Sequence, residues 1–157
     1  MPVPAGAGAR LTRGAFYAHF RSKGALVSAV LATEHPLLRM LQDRTGETPE
    51  ALREQMRRIF AGYLDPGNLD EVFDGCTLAS LTNEASRADV TQREAYEAAL
   101  TAIATEMARG QSEAWGDMIP PLVAAFSAVT TARACATASM RGKVLGAAKS
   151  AVMEALA

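Results

Sequence analysis

Cysteine is scarce in this chain: Cys76 and Cys135 are the two among 157 residues, far apart and outside any CxxC spacing. That excludes a disulfide scaffold and a zinc site built on paired cysteines. Histidine is as sparse. His19 and His35 fall in different predicted helices, and neither has a carboxylate at a spacing that would put metal ligands on one helical face. HExxH, GxSxG and phosphate-loop patterns are all missing, and the glycines of GAGAR, residues 6–10, follow no strand and lead to no phosphate-binding lysine. No catalytic residue, metal or cofactor is therefore expected, and the chain reads as a non-enzyme.

Long apolar runs are lacking too. The least charged stretch, residues 118–132, is interrupted by Pro120, Pro121, Ser127, Thr130 and Thr131. It falls short of the roughly 20 apolar residues that a membrane helix needs. The opening MPVPAGAGAR has no basic region leading into an apolar one, so it does not read as a secretory signal. A soluble, cytoplasmic protein without membrane contact is the expectation. Sustained Val/Ile/Thr alternation is absent as well, so no strand is predicted.

What is present is enough apolar material to bury a core: 49% hydrophobic against 21% charged residues, with mean hydropathy +0.04. The net charge of -1 conceals a segregation. Residues 1–44 carry six basic side chains (Arg10, Arg13, Arg21, Lys23, Arg39, Arg44) against two acidic ones, whereas the remainder carries ten against fifteen. Two readings fit this asymmetry: one end that meets an anion, or an ordinary solvated face.

Apolar residues recur at helical spacing throughout, which predicts an all-α fold. A short helix opens at Thr12 and runs through Phe20. Ser22 caps the next, which carries Leu26, Val27, Val30 and Leu31 and continues through Leu37, Leu38 and Leu41 with a kink near His35 imposed by Pro36. Pro36 is expected to localise bending there. Thr48-Pro49-Glu50 starts a helix with Leu52, Met56, Ile59, Phe60 and Tyr63 on one face. Residues 65–75 supply the turn chemistry of a loop, after which Cys76, Leu78, Ala79, Leu81 and Ala85 mark a compact helix. Thr91 and Glu94 have the spacing of a capping box before Tyr96, Leu100, Ile103 and Met107. Two alanine-rich helices follow Pro121, the first with Leu122, Phe126 and Val129 and the second with Leu145, Ala148, Val152 and Leu156.

The segment LTRGAFYAHFRSKGALVSAVL, residues 11–31, resembles the TetR/AcrR family of bacterial transcriptional regulators. The matching pattern is Thr12, Gly14, Tyr17, His19, Phe20, Ser22, Lys23 and Leu26. A looser similarity, at residues 75–100, is to the start of a common TetR ligand-binding domain. The resemblance implies a TetR-like helical bundle with an incomplete N-terminal helix-turn-helix, because residues 1–11 hold neither the length nor the periodicity of the two helices that precede the turn in that family. It divides the chain into residues 1–44, a partial DNA-binding region with its linking helix, and residues 45–157, a ligand-binding and dimerisation bundle. It also implies DNA contacts from Thr12, Arg13, Gly14, Tyr17, His19 and Lys23. Arg13 would read a base edge or a phosphate, Tyr17 and His19 would hold phosphate oxygens, and Lys23 with the amides behind Ser22 would hold another. Gly24 stands where the family often has an acid.

For the ligand, the candidate pocket residues are Met56, Phe60, Leu78, Ile103, Met107, Trp115 and Phe126, since mixed aromatic and Met surfaces suit apolar effectors. Plain core packing is the alternative for each. Cys76, behind Gly75 at a helix start, is a candidate sensor of electrophiles; Cys135 reads as packing filler. The sparse charge over residues 123–140 points to a homodimer through the last two helices, with Leu122, Phe126, Val129, Leu145 and Val152 at the interface. Two functions are carried forward. One is a ligand-responsive, homodimeric regulator, in the main a repressor, acting on a double-stranded DNA operator; the other is a truncated module of the same family that dimerises and binds ligand without binding DNA.

Overall fold

The structure, a computed structural model, describes residue 20 and residues 22–33, 35–69 and 77–157. Thr12, Arg13, Gly14, Tyr17 and His19, the helix expected to carry them, and Cys76 lie outside the described residues, as does the side chain of Lys23. Every regular element described is helical, and no strand occurs among the described residues. The fold is an all-α bundle.

Helix α1, Lys23–Leu31, begins as its sequence dictates: the Ala25 N–H donates to Ser22 Oγ at 3.1 Å. It then ends, and α2 starts afresh at Pro36 and runs to Gln42. One kinked helix was the expectation; the chain instead breaks completely. Proline disfavours helical geometry in the residue before it, and His35 accordingly lies extended at φ -86, ψ 135. Pro36 thereby occupies the first helical position, where its missing N–H leaves no bond unmade. The break strands the Leu31 carbonyl, whose helical partner would be the His35 amide. The His35 ring takes over: its Nε2–H donates to Leu31 O at 3.0 Å while the ring is buried in the joint.

Helix α3, Pro49–Tyr63, is capped by Thr48, whose Oγ1 accepts from Ala51 N–H at 3.2 Å. Its buried residues Leu52, Met56, Phe60 and Tyr63 are spaced by four, four and three, a single apolar stripe. A 3-10 turn at Pro66–Leu69 and helix α4, Thr77–Ser86, follow. Helix α5, Val90–Ala108, is the longest described. Its cap is Asp89, with Oδ1 accepting from Gln92 N–H at 3.0 Å, so Thr91 lies one residue inside the helix and the expected Thr91/Glu94 box does not form. A carboxylate both accepts the orphan amide and meets the positive end of the helix, which a threonine hydroxyl cannot match. Asp89→Ala is expected to cost about 1 kcal/mol. Thr91→Ala should be nearly neutral, and thermal unfolding of the two variants decides which residue caps.

Gly110, at φ +75, turns the chain out of α5. A side chain there would be strained, and its Cβ would fall 2.4 Å from Leu52 Cδ1. A 3-10 turn, Trp115–Met118, leads into α6, Ile119–Ala134, which starts two residues ahead of Pro121 and holds both prolines in its first turn. Thr137 Oγ1, accepting from Met140 N–H at 3.2 Å, caps α7, Ala138–Ala155. Helices α6 and α7 form the most extensive helix pair in the fold.

One core joins all of these. Val27, Leu31, Leu37 and Leu41 of α1 and α2 belong to the same buried cluster as Phe60, Leu78, Ile103, Met107, Leu122 and Leu145. Residues 22–44 thus share their hydrophobic interior with the rest of the chain. Among the described helices none is long and apolar enough to cross a membrane.

A buried cation closes one end of the bundle. Arg44 is 5% exposed and donates through Nε to Leu41 O at 2.9 Å, through Nη1 to Leu52 O at 3.2 Å and through Nη2 to Glu106 O. Beside it, Arg109 pairs with the Glu106 carboxylate and donates to the carbonyls of Leu41, Gln42 and Arg44. The guanidinium groups of Arg44, in the α2–α3 turn, and of Arg109, just past the end of α5, therefore both donate to carbonyls at the end of α2. Burial pulls the Arg44 pKa below its ordinary value and the nearby Arg109 adds to the effect, while Glu106 opposes it.

Candidate functional site

A partly open pocket of about 380 Å³ lies between three helices, with most of its lining in contact with solvent. Helix α4 contributes Thr82 and Asn83, and α5 contributes Tyr96 and Leu100. From α6 come Val123, Phe126, Ser127, Thr130 and Thr131, brought to one side by the helical period. No charged side chain lines it. Phe126, Leu100 and Val123 offer an apolar body, and hydroxyls surround it, the usual composition of a small-molecule site.

The walls are cross-braced. Thr130 Oγ1 on α6 donates to its own helix at Phe126 O, 2.9 Å, and across to Ala79 O of α4 at 3.3 Å. Arg133 Nη1 donates to Ser80 Oγ at 2.8 Å, tying the same two helices one turn further on. On the opposite wall Thr82 Oγ1 lies 3.0 Å from Leu78 O and 2.9 Å from Tyr96 Oη, joining α4 to α5. Behind the cavity floor, Tyr63 of α3 packs against Phe126 with ring centroids 6.0 Å apart, so the aromatic wall is anchored in the core.

Helix α5 connects this cavity to the segment that carries the family-like motif. At Gly24 of α1 an ideal Cβ would fall 2.1 Å from Gln92 Nε2 of α5. The far end of the Gln92 side chain occupies the space over Gly24, where α1 packs on α5; a side chain there would displace only that flexible end. Gln92 and the cavity residue Tyr96 are one helical turn apart on α5.

Of the residues expected to line a pocket, Phe126 does so. Met56, Phe60, Leu78, Ile103 and Met107 are at most 1% exposed and make up the core, the plain packing alternative for each. They point inward because each sits on the apolar stripe of its helix, and Met56 also edges a small depression of about 110 Å³ beside Arg53 and Leu156. Trp115 stands in the 3-10 turn before α6, 49% exposed and away from the cavity. The residues expected at a dimer interface, Leu122, Phe126, Val129, Leu145 and Val152, are all buried within the single chain. They fill the interior of the bundle, and the exposed residues of α6 and α7 include instead Val123, Met140, Gly146, Ala147 and Ala151. Cys135 is half-buried, with its Sγ donating to Thr131 O at 3.3 Å.

The polar lining of the cavity was missed by a search for apolar residues. Its signal lay in the sequence: Ser127, Thr130 and Thr131 recur at helical spacing in an otherwise apolar helix, a row of small hydroxyls where alanine would pack as well. A larger depression of about 800 Å³ runs between α2 and α5, edged by Glu94, Glu97 and Glu106. It is a shallow groove on the surface, and a ligand there would stay mostly in water. Among the described residues no three His, Cys, Asp or Glu side chains converge on a metal position. No protein-family model matches the chain, and no curated protein matches it.

Proposed function

We propose that the chain is a ligand-responsive, homodimeric transcriptional regulator of the TetR type, a cytoplasmic repressor whose bundle holds the effector and whose residues 11–23 meet operator DNA. The observation that carries this reading is the double engagement of α5. One turn of that helix packs Gln92 against Gly24 of α1, and the next places Tyr96 in the wall of the cavity. An effector that moves Tyr96 moves Gln92 with it, because a helix shifts as a rigid unit. The displacement reaches α1 at its first turn, which in the sequence adjoins the Tyr17, His19 and Lys23 motif. Two such helices in a dimer set the separation of the DNA-contacting segments, which must match the half-site spacing of the operator.

Salt-dependent binding of the protein to a labelled DNA fragment from its own upstream region tests the reading, in parallel with the protein extended to any upstream start codon. Specific binding that weakens steeply with added salt, as counterion release from phosphates requires, is the expected result. Binding by the extended protein alone would make the present chain a dimerising, ligand-capturing module. No specific binding by either form would overturn the regulator reading.

A further inference from the structure

We infer that the groove between α2 and α5 is a docking site for this chain's own basic segment, residues 10–21, which cannot occupy the groove and meet DNA at once. The inference rests on the reading of residues 11–23 as the DNA-contacting segment. The groove, of about 800 Å³, has two unlike edges: Leu38 and Gln42 of α2 on one side, and carboxylates of α5 on the other. Ala98 and Ala102, one turn apart on α5, keep its floor low, and half-buried Leu38 gives it an apolar lip. Of the three acids that edge it, Glu106 is held by Arg44 and Arg109. Glu94 and Glu97 are exposed and have no ion pair among the described residues. Among those residues no cation lines the groove, since Arg39 of α2 and Arg93 of α5 stand outside its lining.

Charge and position identify the occupant. Ahead of Ser22 the sequence carries Arg10, Arg13 and Arg21 and no acid; the first carboxylate of the chain is Glu34. The arginines meet Glu94 and Glu97, while Leu11 and Phe16, which lie between them in sequence, supply apolar surface for Leu38 and the alanine floor. At Ser22 the chain enters α1, whose Gly24 lies under the Gln92 side chain of α5. Glu94 and Glu97 stand further along that helix, the second within about 8 Å of Gln92 at 1.5 Å per residue. Residues 10–21 would span about 40 Å extended and about 18 Å wound as a helix, so the groove is within reach in either form. Exposed ion pairs between separate molecules are weak. Tethering changes the balance, because a short linker holds the segment over the groove at an effective concentration on the order of millimolar. The arginines that would neutralise DNA phosphates are those that neutralise Glu94 and Glu97, so each occupant displaces the other.

Limited trypsin digestion of the intact protein, followed by mass spectrometry, reads the docking directly. Cleavage after Arg10 and Arg13 samples the undocked population when docking and release are fast. Glu94→Gln combined with Glu97→Gln is expected to speed both cuts about tenfold at low salt, the factor for a segment docked about nine-tenths of the time. The same double variant should bind a duplex fragment from the protein's own upstream region more tightly by that factor, because docking lowers the fraction competent for DNA. Added salt should release the wild-type segment and erase the difference in cleavage. Glu47→Gln combined with Glu154→Gln removes the same charge at exposed positions outside the groove, and should change neither readout. Equal cleavage of wild type and groove variant, an equal acceleration in the control variant, or faster cleavage without tighter binding in a protein that does bind DNA would each overturn the inference. Failure of the regulator reading is separable from these outcomes. If no form binds DNA and the groove variant is still cut faster, the regulator role is lost and the docking stands, whereas operator binding with unchanged cleavage loses only the inference.

Discussion

Replacing Arg44 with alanine is expected to destabilise the protein by about 3 kcal/mol or more, a large share of the roughly 5–15 kcal/mol that holds a domain of this size together. The side chain is 1% exposed and satisfies the carbonyls of Leu41, Leu52 and Glu106, which belong to α2, α3 and α5. Removing it takes a charge-assisted hydrogen bond from each of these carbonyls, of which Leu41 O and Glu106 O keep other donors, and each such bond contributes about 1.5–3 kcal/mol. It also takes from Glu106 one of its two cationic neighbours, leaving Arg109 to hold the carboxylate alone. Denaturant unfolding of Arg44→Ala, Arg44→Met and Arg44→Lys separates the contributions. Methionine restores much of the apolar stem and none of the donors, so it should be nearly as damaging as alanine. Lysine keeps the charge, but its single ammonium cannot reach three carbonyls held in a planar fork, and it should recover only part of the loss. If methionine restored stability to within about 1 kcal/mol of the wild type, the role of Arg44 would be packing and the polar account would fail. The effect should also change little with added salt, because a buried group is poorly screened.

Phe60→Ala is expected to cost about 3–5 kcal/mol, the range for deleting a fully buried aromatic ring. Phe60 has no exposed surface and packs edge-on to Tyr63, with centroids 6.3 Å apart and planes at 69°; Tyr63 in turn contacts Phe126. The loss combines the transfer free energy of the ring with the cost of a void in an interior that cannot collapse around it. Phe60→Leu keeps most of the volume and should cost much less, about 1 kcal/mol. The same pair distinguishes core from ligand wall. A residue that only lined a binding site would be replaced at small cost in stability, whereas Phe60 should show a large cost in thermal unfolding. A variant that stayed fully stable would show that the ring is not part of the core.

Local chemistry made most of the helices legible. Ser22, Thr48 and Pro49 announce their helices because capping and the first-turn preference for proline depend on only a few consecutive residues. The stripe from Leu52 to Tyr63 announces its buried face because helical period alone brings those side chains together. Where two local signals competed, local reasoning chose wrongly. Thr91 with Glu94 has the spacing of a capping box, yet Asp89, two residues earlier, also stands ready to cap, and the carboxylate prevails. At Pro36 the strength of the interruption depended on a side chain elsewhere in the turn. His35 supplies the donor that the Leu31 carbonyl needs, and with that bond made the helix can stop and restart.

The cavity belongs to another category. Met56, Phe60, Leu78, Ile103 and Met107 are indistinguishable by residue type from the wall of an apolar pocket, and only the packing of neighbouring helices fills the space around them. Leu122, Val129, Leu145 and Val152 likewise carry the pattern of an exposed dimer face until α6 and α7 are seen to turn them inward. What the sequence determined by itself was the all-helical class, the positions of most caps and the apolar stripes, since each depends on interactions within about one helical turn. The tertiary structure alone decided which stripes meet, where Arg44 finds its carbonyls, and that Thr82, Tyr96 and Thr130 converge on one space from three helices. Those contacts join residues that the chain keeps apart, and their free energy depends on whether a neighbouring helix or an open cavity lies beyond each side chain, which no local pattern encodes.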